Sequence, residues 1–201
     1  MVESGSESYP LKRRDVARAL LAERNDMLVV AGLGSTAWDA TAAGDHPLTF
    51  PLWGAMGGAV TIGLGLALAQ TSRRVLVITG DGEMLMGLGS LATVAAQAPV
   101  NLVVCVFDNE RYGETGMQLT HTAMGVSLTE VATACGIRIT GDVRSEDQLA
   151  EALPVIRNAA GPVFFNIKVR AEKLDFVLPP KNGVELKERF RLALLDDGAT
   201  D

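Results

Sequence analysis

Val75-Leu76-Val77-Ile78-Thr79-Gly80-Asp81-Gly82-Glu83 runs an unbroken apolar stretch into a carboxylate flanked by glycines. A short, continuous run rich in β-branched residues reads as a strand covered on both faces, as in a parallel sheet. A second such stretch, Leu102 to Phe107, ends in Asp108-Asn109-Glu110-Arg111-Tyr112. Two strands thus end in oxygen ligands. Magnesium takes near-octahedral oxygen coordination and shares it with phosphates, so a carboxylate, an amide and a carbonyl suit a Mg-diphosphate site. The glycines let backbone amides approach a phosphate, and a helix opening at about Glu83 points its N-terminus the same way.

Outward from these motifs, strands alternate with helices. The pattern predicts helix 11–25, strand 27–30, a turn at Gly32-Leu33-Gly34-Ser35 into a helix ending near Ala43, and an extended piece at 48–52. A small-residue helix follows at 56–70, expected to be buried on most sides. Next come strand 74–79, helix 84–97, strand 101–107, loop 109–126, helix 127–135, strand 137–140, helix 145–159 and strand 163–169. Right-handed βαβ crossovers then give an α/β fold, a three-layer, doubly wound, mostly parallel sheet. Residues 1–10 are Ser/Glu-rich and read as a loose tail, residues 11–195 as one domain, and 196–201 as a C-terminal tail.

The chain has 201 residues, 18 basic and 24 acidic side chains and a net charge of −6, with no long basic cluster. Binding to nucleic acid or to an anionic membrane is not expected. Lys12-Arg13-Arg14 and Arg73-Arg74 read as solvated charge. With only Cys105 and Cys135 there is little basis for a disulfide framework or an iron–sulfur site. No charged-then-apolar leader or long apolar tract is seen, so a cytoplasmic location is expected.

The GDG run with its later Asp108-Asn109 pair resembles the thiamine diphosphate (ThDP) motif. Trp53-Gly54-Ala55-Met56-Gly57-Gly58 is similar to the Gly-x-(bulky apolar)-Gly segment of ThDP decarboxylases. Tyr112-Gly113-Glu114-Thr115-Gly116-Met117-Gln118 resembles the Y-x-x-T-G-G-Q stretch of sulfopyruvate and phosphonopyruvate decarboxylases. Residues 11–195 are accordingly identified as a diphosphate-binding (PP) domain of that group, similar to the separately encoded sulfopyruvate decarboxylase β subunit.

The resemblance implies a ligand set. Asp81, the Asn109 side chain and the Arg111 carbonyl would hold Mg²⁺. Gly80, Gly82, Glu83, Tyr112 and Gly113 would surround the diphosphate, and Gly32, Gly34 and Ser35 would form a second phosphate-contacting turn. The Gly54 carbonyl would accept from the 4′-amino group, with Ala55 beside it. Met56 would prop the cofactor into the bend that places its own base near the C2 proton. His121 would meet the substrate carboxylate or move a proton, Thr115 and Gln118 would line the mouth, and Asp108 would cap a turn.

The implied activity is decarboxylation of a 2-oxoacid to CO₂ and an aldehyde. The activating glutamate would come from a separate pyrimidine-binding (PYR) α subunit in an α₂β₂ or larger complex, leaving this chain inactive alone. The family's G-G-Q-P-T reads Gly116-Met117-Gln118-Leu119-Thr120 here, which makes the pocket more apolar. Alternatives are a ThDP carboligase or oxidoreductase subunit, or a noncatalytic nucleotide- or phosphate-binding α/β module.

Overall fold

Aliphatic residues fill the interior strands because each strand is covered on both faces, which is the condition a parallel sheet imposes. The computed structural model describes residues 5–195. The chain forms α1 (Arg13–Leu21), β1 (Leu28–Ala31), α2 (Ser35–Ala42), β2 (Thr49–Pro51), α3 (Ala59–Ala69) and β3 (Val75–Gly80). It continues with α4 (Asp81–Met86), α5 (Ser90–Gln97), β4 (Leu102–Asp108), β5 (Arg111–Tyr112) and β6 (Gln118–Leu119). The last elements are α6 (Leu128–Ala134), β7 (Ile139–Val143), α7 (Glu146–Asn158), β8 (Val163–Lys168) and α8 (Gly183–Leu195). Six strands make one sheet in the order β2-β1-β3-β4-β8-β7, with each neighbouring pair parallel.

Successive side chains of a strand point to opposite faces, and the core divides accordingly. Val29, Leu76, Ile78, Val103 and Phe165 pack with Val16 and Leu20 of α1 and Leu149 and Ile156 of α7. Val30, Val75, Val77, Val104 and Phe164 pack on the other face with α3, α4, α5 and α6. α8 closes that face at the sheet edge, where Phe190 meets Phe50 of β2 edge-on with ring centroids 5.4 Å apart. The expected three-layer α/β architecture is the one found.

Several local expectations change. The helix expected at 84–97 is two helices: α4 opens at Asp81 itself and stops at Gly87, and α5 restarts at Ser90. The 109–126 loop contains the antiparallel β5–β6 hairpin and a 3-10 turn at His121–Met124. α3 buries only one face: Ala59, Val60, Gly63, Leu64 and Ala67 point inward, whereas Ile62 and Leu68 are exposed. It is apolar all round, so its sequence carried no sign of which face the monomer covers.

Residues 5–10 are docked rather than loose. Gly5–Ser8 forms a 3-10 turn with Ser6 fully buried; the Ala171 amide donates to the Ser6 carbonyl (3.0 Å) and Arg170 Nε to the Tyr9 carbonyl (2.8 Å). The segment has little apolar surface to bury and is held instead by polar contacts. Residues 1–4 and the tail expected at 196–201 lie outside the described residues. No described helix is long and apolar enough to cross a membrane.

Candidate functional site

Ligands in open α/β sheets collect beyond the carboxyl ends of the strands, where the chain reverses its direction across the sheet. That reversal lies between β1 and β3 here. The turns leaving β1, β3 and β4 border one cleft, lined among others by Ser35, Met56, Gly80, Asp81, Gly82, Glu83, Asn109, Arg111, Tyr112 and Gly113. Ten residues singled out from four distant segments therefore share a wall. Gly32, Gly34, Gly54, Ala55 and His121 are not among the lining residues. Gly32 and Gly34 stand just behind it, His121 opens the exposed 3-10 turn, and Gly54 and Ala55 lie in the loop that carries Met56.

Asp81 is the most buried of these acids, at 2% exposure. Thr120 Oγ1 donates to its Oδ2 at 2.6 Å and Thr122 Oγ1 reaches the same oxygen at 3.3 Å; among the described residues no side chain takes Oδ1. Burial, then the neighbouring charge of Asp108, push its pKa up to about 7, against the Thr120 hydrogen bond, a backbone hydrogen bond and the Lys168 charge, which favour the anion. Asn109, also buried, turns Oδ1 back to accept from the Arg111 amide at 3.0 Å, which closes the turn after β4. Glycine at 80 and 113 leaves open space where a Cβ would stand, so backbone borders the cleft at both positions. Gly82 lies against the Tyr112 ring.

Glu83 faces inward rather than toward a ligand. Its Oε2 accepts from Thr79 Oγ1 (2.8 Å) and the Leu33 amide (3.2 Å), tying the β3–α4 turn to the β1–α2 turn. A Cβ on Gly32 would stand 2.0 Å from that oxygen, so glycine is what lets the carboxylate pass. Burial raises the Glu83 pKa, offset in part by Thr79 and by the amides of Ala59, Leu33 and Gly57.

Asp108 has no exposure and is surrounded by protein partners: Lys168 Nζ at 2.7 Å, Thr122 Oγ1 at 2.8 Å, Asn166 Nδ2 at 3.0 Å and the Glu110 amide at 3.2 Å. Lys168 Nζ also reaches Glu110 Oε1 (2.9 Å), which accepts from the Tyr9 hydroxyl (2.6 Å). Burial alone would lower the Lys168 pKa, but Asp108 and Glu110 outweigh it and the net shift is upward. One lysine thus grips both residues that flank Asn109. The sequence offered no sign of this, because Lys168 ends an apolar strand far from its partners.

The arginine pairs also depart from the solvated-charge expectation. Arg13 lines the cleft at 8% exposure, with Nε 2.9 Å from Asp39 Oδ2, and Arg14 Nε lies 3.4 Å from Oδ1 of the same buried carboxylate. Arg74 donates to the carbonyls of Ile156, Ala159 and Val155 and so caps the end of α7. What takes these cations out of solvent is their pairing with groups distant in sequence.

Residues 34–167 match the family described as thiamine pyrophosphate enzyme, C-terminal TPP binding domain. The chain belongs to this family. The match runs from Gly34, at the end of the turn after β1, through both strand-end motifs and into β8 up to the residue before Lys168. Among relatives of this TPP-binding domain, a phosphonopyruvate decarboxylase from Streptomyces viridochromogenes is 40% identical over 92% of the chain; the chain spans about half (47%) of its length. The sulfopyruvate decarboxylase subunit beta of Methanothermobacter thermautotrophicus is 37% identical, over 90% of the chain and 94% of that subunit. A thiamin diphosphate-dependent enzyme from Mycobacterium smegmatis superposes with a TM-score of 0.70 at 26% identity, covering 81% of this chain and 32% of that one.

Proposed function

We propose that this chain is the cofactor-anchoring subunit of a heteromeric 2-oxoacid decarboxylase of the sulfopyruvate type, which releases CO₂ and an aldehyde. The carrying observation is the pairing of Asp81 and Asn109 in one cleft, with Asp81 Oδ2 fixed by two threonines and Oδ1 left without a side-chain partner. That donor set suits Mg²⁺ bridged to a diphosphate, and the glycine backbone at 80 and 113 leaves the phosphates room.

In this reading Asp81, Asn109 and the Arg111 carbonyl hold the metal. Ser35 and the Gly80–Glu83 turn, with Gly32 and Gly34 behind, bound the diphosphate, and Tyr112 and Gly113 close the far side. The Gly54 carbonyl and Met56 orient the aromatic rings. Bound ThDP supplies an electron sink for the pair left behind by departing CO₂. Met56, Met86 and Leu33 line an apolar mouth; Met56 and Met86 are exposed in this chain alone, so in this reading the partner's cover is what would keep water from the reacting carbon. His121, exposed and outside the lining residues, has no step in it.

A second polypeptide completes the site in this proposal, a PYR-type α subunit that brings the activating glutamate in an α₂β₂ or larger assembly; without it the chain is inactive. Support comes from the exposed apolar surface around the mouth, where Met56 is 66% exposed beside Trp53 and Met86, and from the bare outer face of α3. The near-complete span of a relative that is itself named a subunit agrees. A cytoplasmic location is part of the reading, in keeping with two free thiols.

Calorimetric titration of ThDP with Mg²⁺ into the wild type, Asp81→Ala and Asn109→Ala tests it, alone and with a co-encoded partner, followed by CO₂ release from a 2-oxoacid panel. Both variants should lose Mg-dependent binding while keeping a wild-type circular dichroism spectrum. Retention of ThDP by both would remove the assignment.

A further inference from the structure

We propose that Arg13 is an anion-binding residue of the cleft, directing its two terminal guanidinium nitrogens at phosphate-, phosphonate- or sulfonate-type oxygens. It rests on the proposed ThDP reading for where the ligand lies, but on Arg13's own surroundings for the chemistry.

Arg13 begins α1 and reaches across to α2, where Asp39 holds it through Nε at 2.9 Å. Asp39 is fully buried and is shared with Arg14, so the three side chains carry one net positive charge. Arg14 is drawn away from the cleft by the carbonyl of Asp175, to which its Nη2 donates. Arg13 alone of the pair lines the cleft, beside Ser35 and Thr36 of the first α2 turn and Glu114 of the β5–β6 hairpin.

The terminal nitrogens of Arg13 have no hydrogen-bond partner among the described residues. Structural arginines in this chain behave differently. Arg74 spends all three nitrogens on helix-end carbonyls, and Arg24 engages Thr49, Met27 and Leu48. The Arg13 stem is buried and its Nε is sealed from solvent against Asp39, whereas the two terminal nitrogens are not among the sealed atoms and stay accessible on the cleft side, free to engage a ligand. The planar fork of an arginine matches the oxygens of a phosphate or sulfonate two at a time, which a lysine cannot do. Glu114 lies within Coulombic reach of Arg13, which counters the upward push of burial on its carboxyl, so the cleft presents a cation with a nearby acid rather than a uniformly positive wall.

Two sources of such oxygens would reach this lobe: the diphosphate of the cofactor, and the acidic group at the far end of a substrate. Titrate the wild-type chain, Arg13→Met and Arg13→Lys, each together with the co-encoded partner, with ThDP and Mg²⁺, with thiamine and Mg²⁺, with inorganic pyrophosphate and Mg²⁺, and with phosphonoacetate in the presence of ThDP. Arg13→Met is expected to weaken one anionic ligand by about ten-fold or more, the loss of a charge-assisted bidentate contact. Loss with ThDP and pyrophosphate but not thiamine assigns the diphosphate; loss with phosphonoacetate alone assigns the substrate's acid group. Arg13→Lys should recover part of the loss. A purely structural arginine would lower the melting temperature and leave unchanged both the ratio of ThDP to thiamine affinity and the affinity for phosphonoacetate.

Wild-type affinity for every anion in Arg13→Met overturns the proposal. Should that variant not fold, Arg13→Lys decides, since equal affinity for every anion in the lysine variant overturns it too. A wild type that binds pyrophosphate or phosphonoacetate through Arg13 but not ThDP would refute the cofactor reading alone. A wild type that binds none of these probes would sink both.

Discussion

Gly57 and Gly87 meet backbone to backbone. A Cβ on Gly87 would stand 2.2 Å from the Gly57 carbonyl oxygen, and one on Gly57, whose φ is +89°, would stand 2.8 Å from the Gly87 nitrogen. This contact pins the loop that carries Met56 to the far end of α4, whose near end carries Asp81. Neither neighbour is a side chain that can rotate away. Gly87→Ala is therefore expected to destabilise the fold by about 1–3 kcal/mol and to loosen the cleft. Urea denaturation reads the first effect and ThDP titration the second; an unchanged midpoint would contradict the close approach.

Lys168→Met should cost more. It strands Asp108, which has no exposure, without the one cation paired with it among the described residues, and removes a charge from Glu110 at the same time. Breaking a buried pair from one side typically costs about 3–5 kcal/mol. Chemical denaturation of the variant against wild type measures it, and a loss below about 1 kcal/mol would place the pair among weak surface bridges instead.

With Asp81 as the proposed metal ligand, stability and metal binding are expected to respond to pH in opposite directions. Its carboxyl has an ordinary value of 3.8 and is pushed up to about 7 in the fold. Between those values the folded chain holds a proton that the unfolded chain has released, so the stability contributed by this group falls as pH rises through that window. Mg²⁺ needs the anion, so the rise in melting temperature produced by Mg²⁺ with ThDP should be small at about pH 5.5 and large at about pH 8. Asp81→Asn should flatten both trends in thermal melts.

Tyr9→Phe tests the docked N-terminal segment. Tyr9 donates to Glu110 at 2.6 Å, and burial followed by this bond pushes the phenol up to about 12. Loss of a hydrogen bond to a charged group is expected to cost about 1.5–3 kcal/mol, less where water can replace it. Proteolysis should then cut near residues 5–10 in the variant sooner than in the wild type, and equal rates would show that the segment is held without Tyr9.

The layers were legible because a parallel sheet writes itself as apolar runs, and 75–79 and 102–107 could be little else. The two strand-end motifs were legible because glycines and oxygen ligands cluster locally in sequence. What escaped was non-local. Nothing near Lys168 announces Asp108 and Glu110, and nothing in Arg13-Arg14 announces Asp39 or the cleft. The break in the helix expected at 84–97 was visible as Gly87-Leu88-Gly89, but a helix rich in glycine such as α3 tolerates its glycines, so the signal was ambiguous. The buried carboxylate of Glu83 escaped because its spacing fits an amide donor equally well.

The grip of Lys168 on Asp108 and Glu110 also bears on how the protein is made. Strand β4 and its turn leave the ribosome well before β8 does, and at roughly 5–20 residues per second the delay is a matter of seconds. Throughout that interval Asp108 has no counter-charge, and closing β4 over it would strand an anion in a dry interior. The turn that presents Asn109 is thus expected to settle only once β8 slides in between β4 and β7 and delivers the lysine.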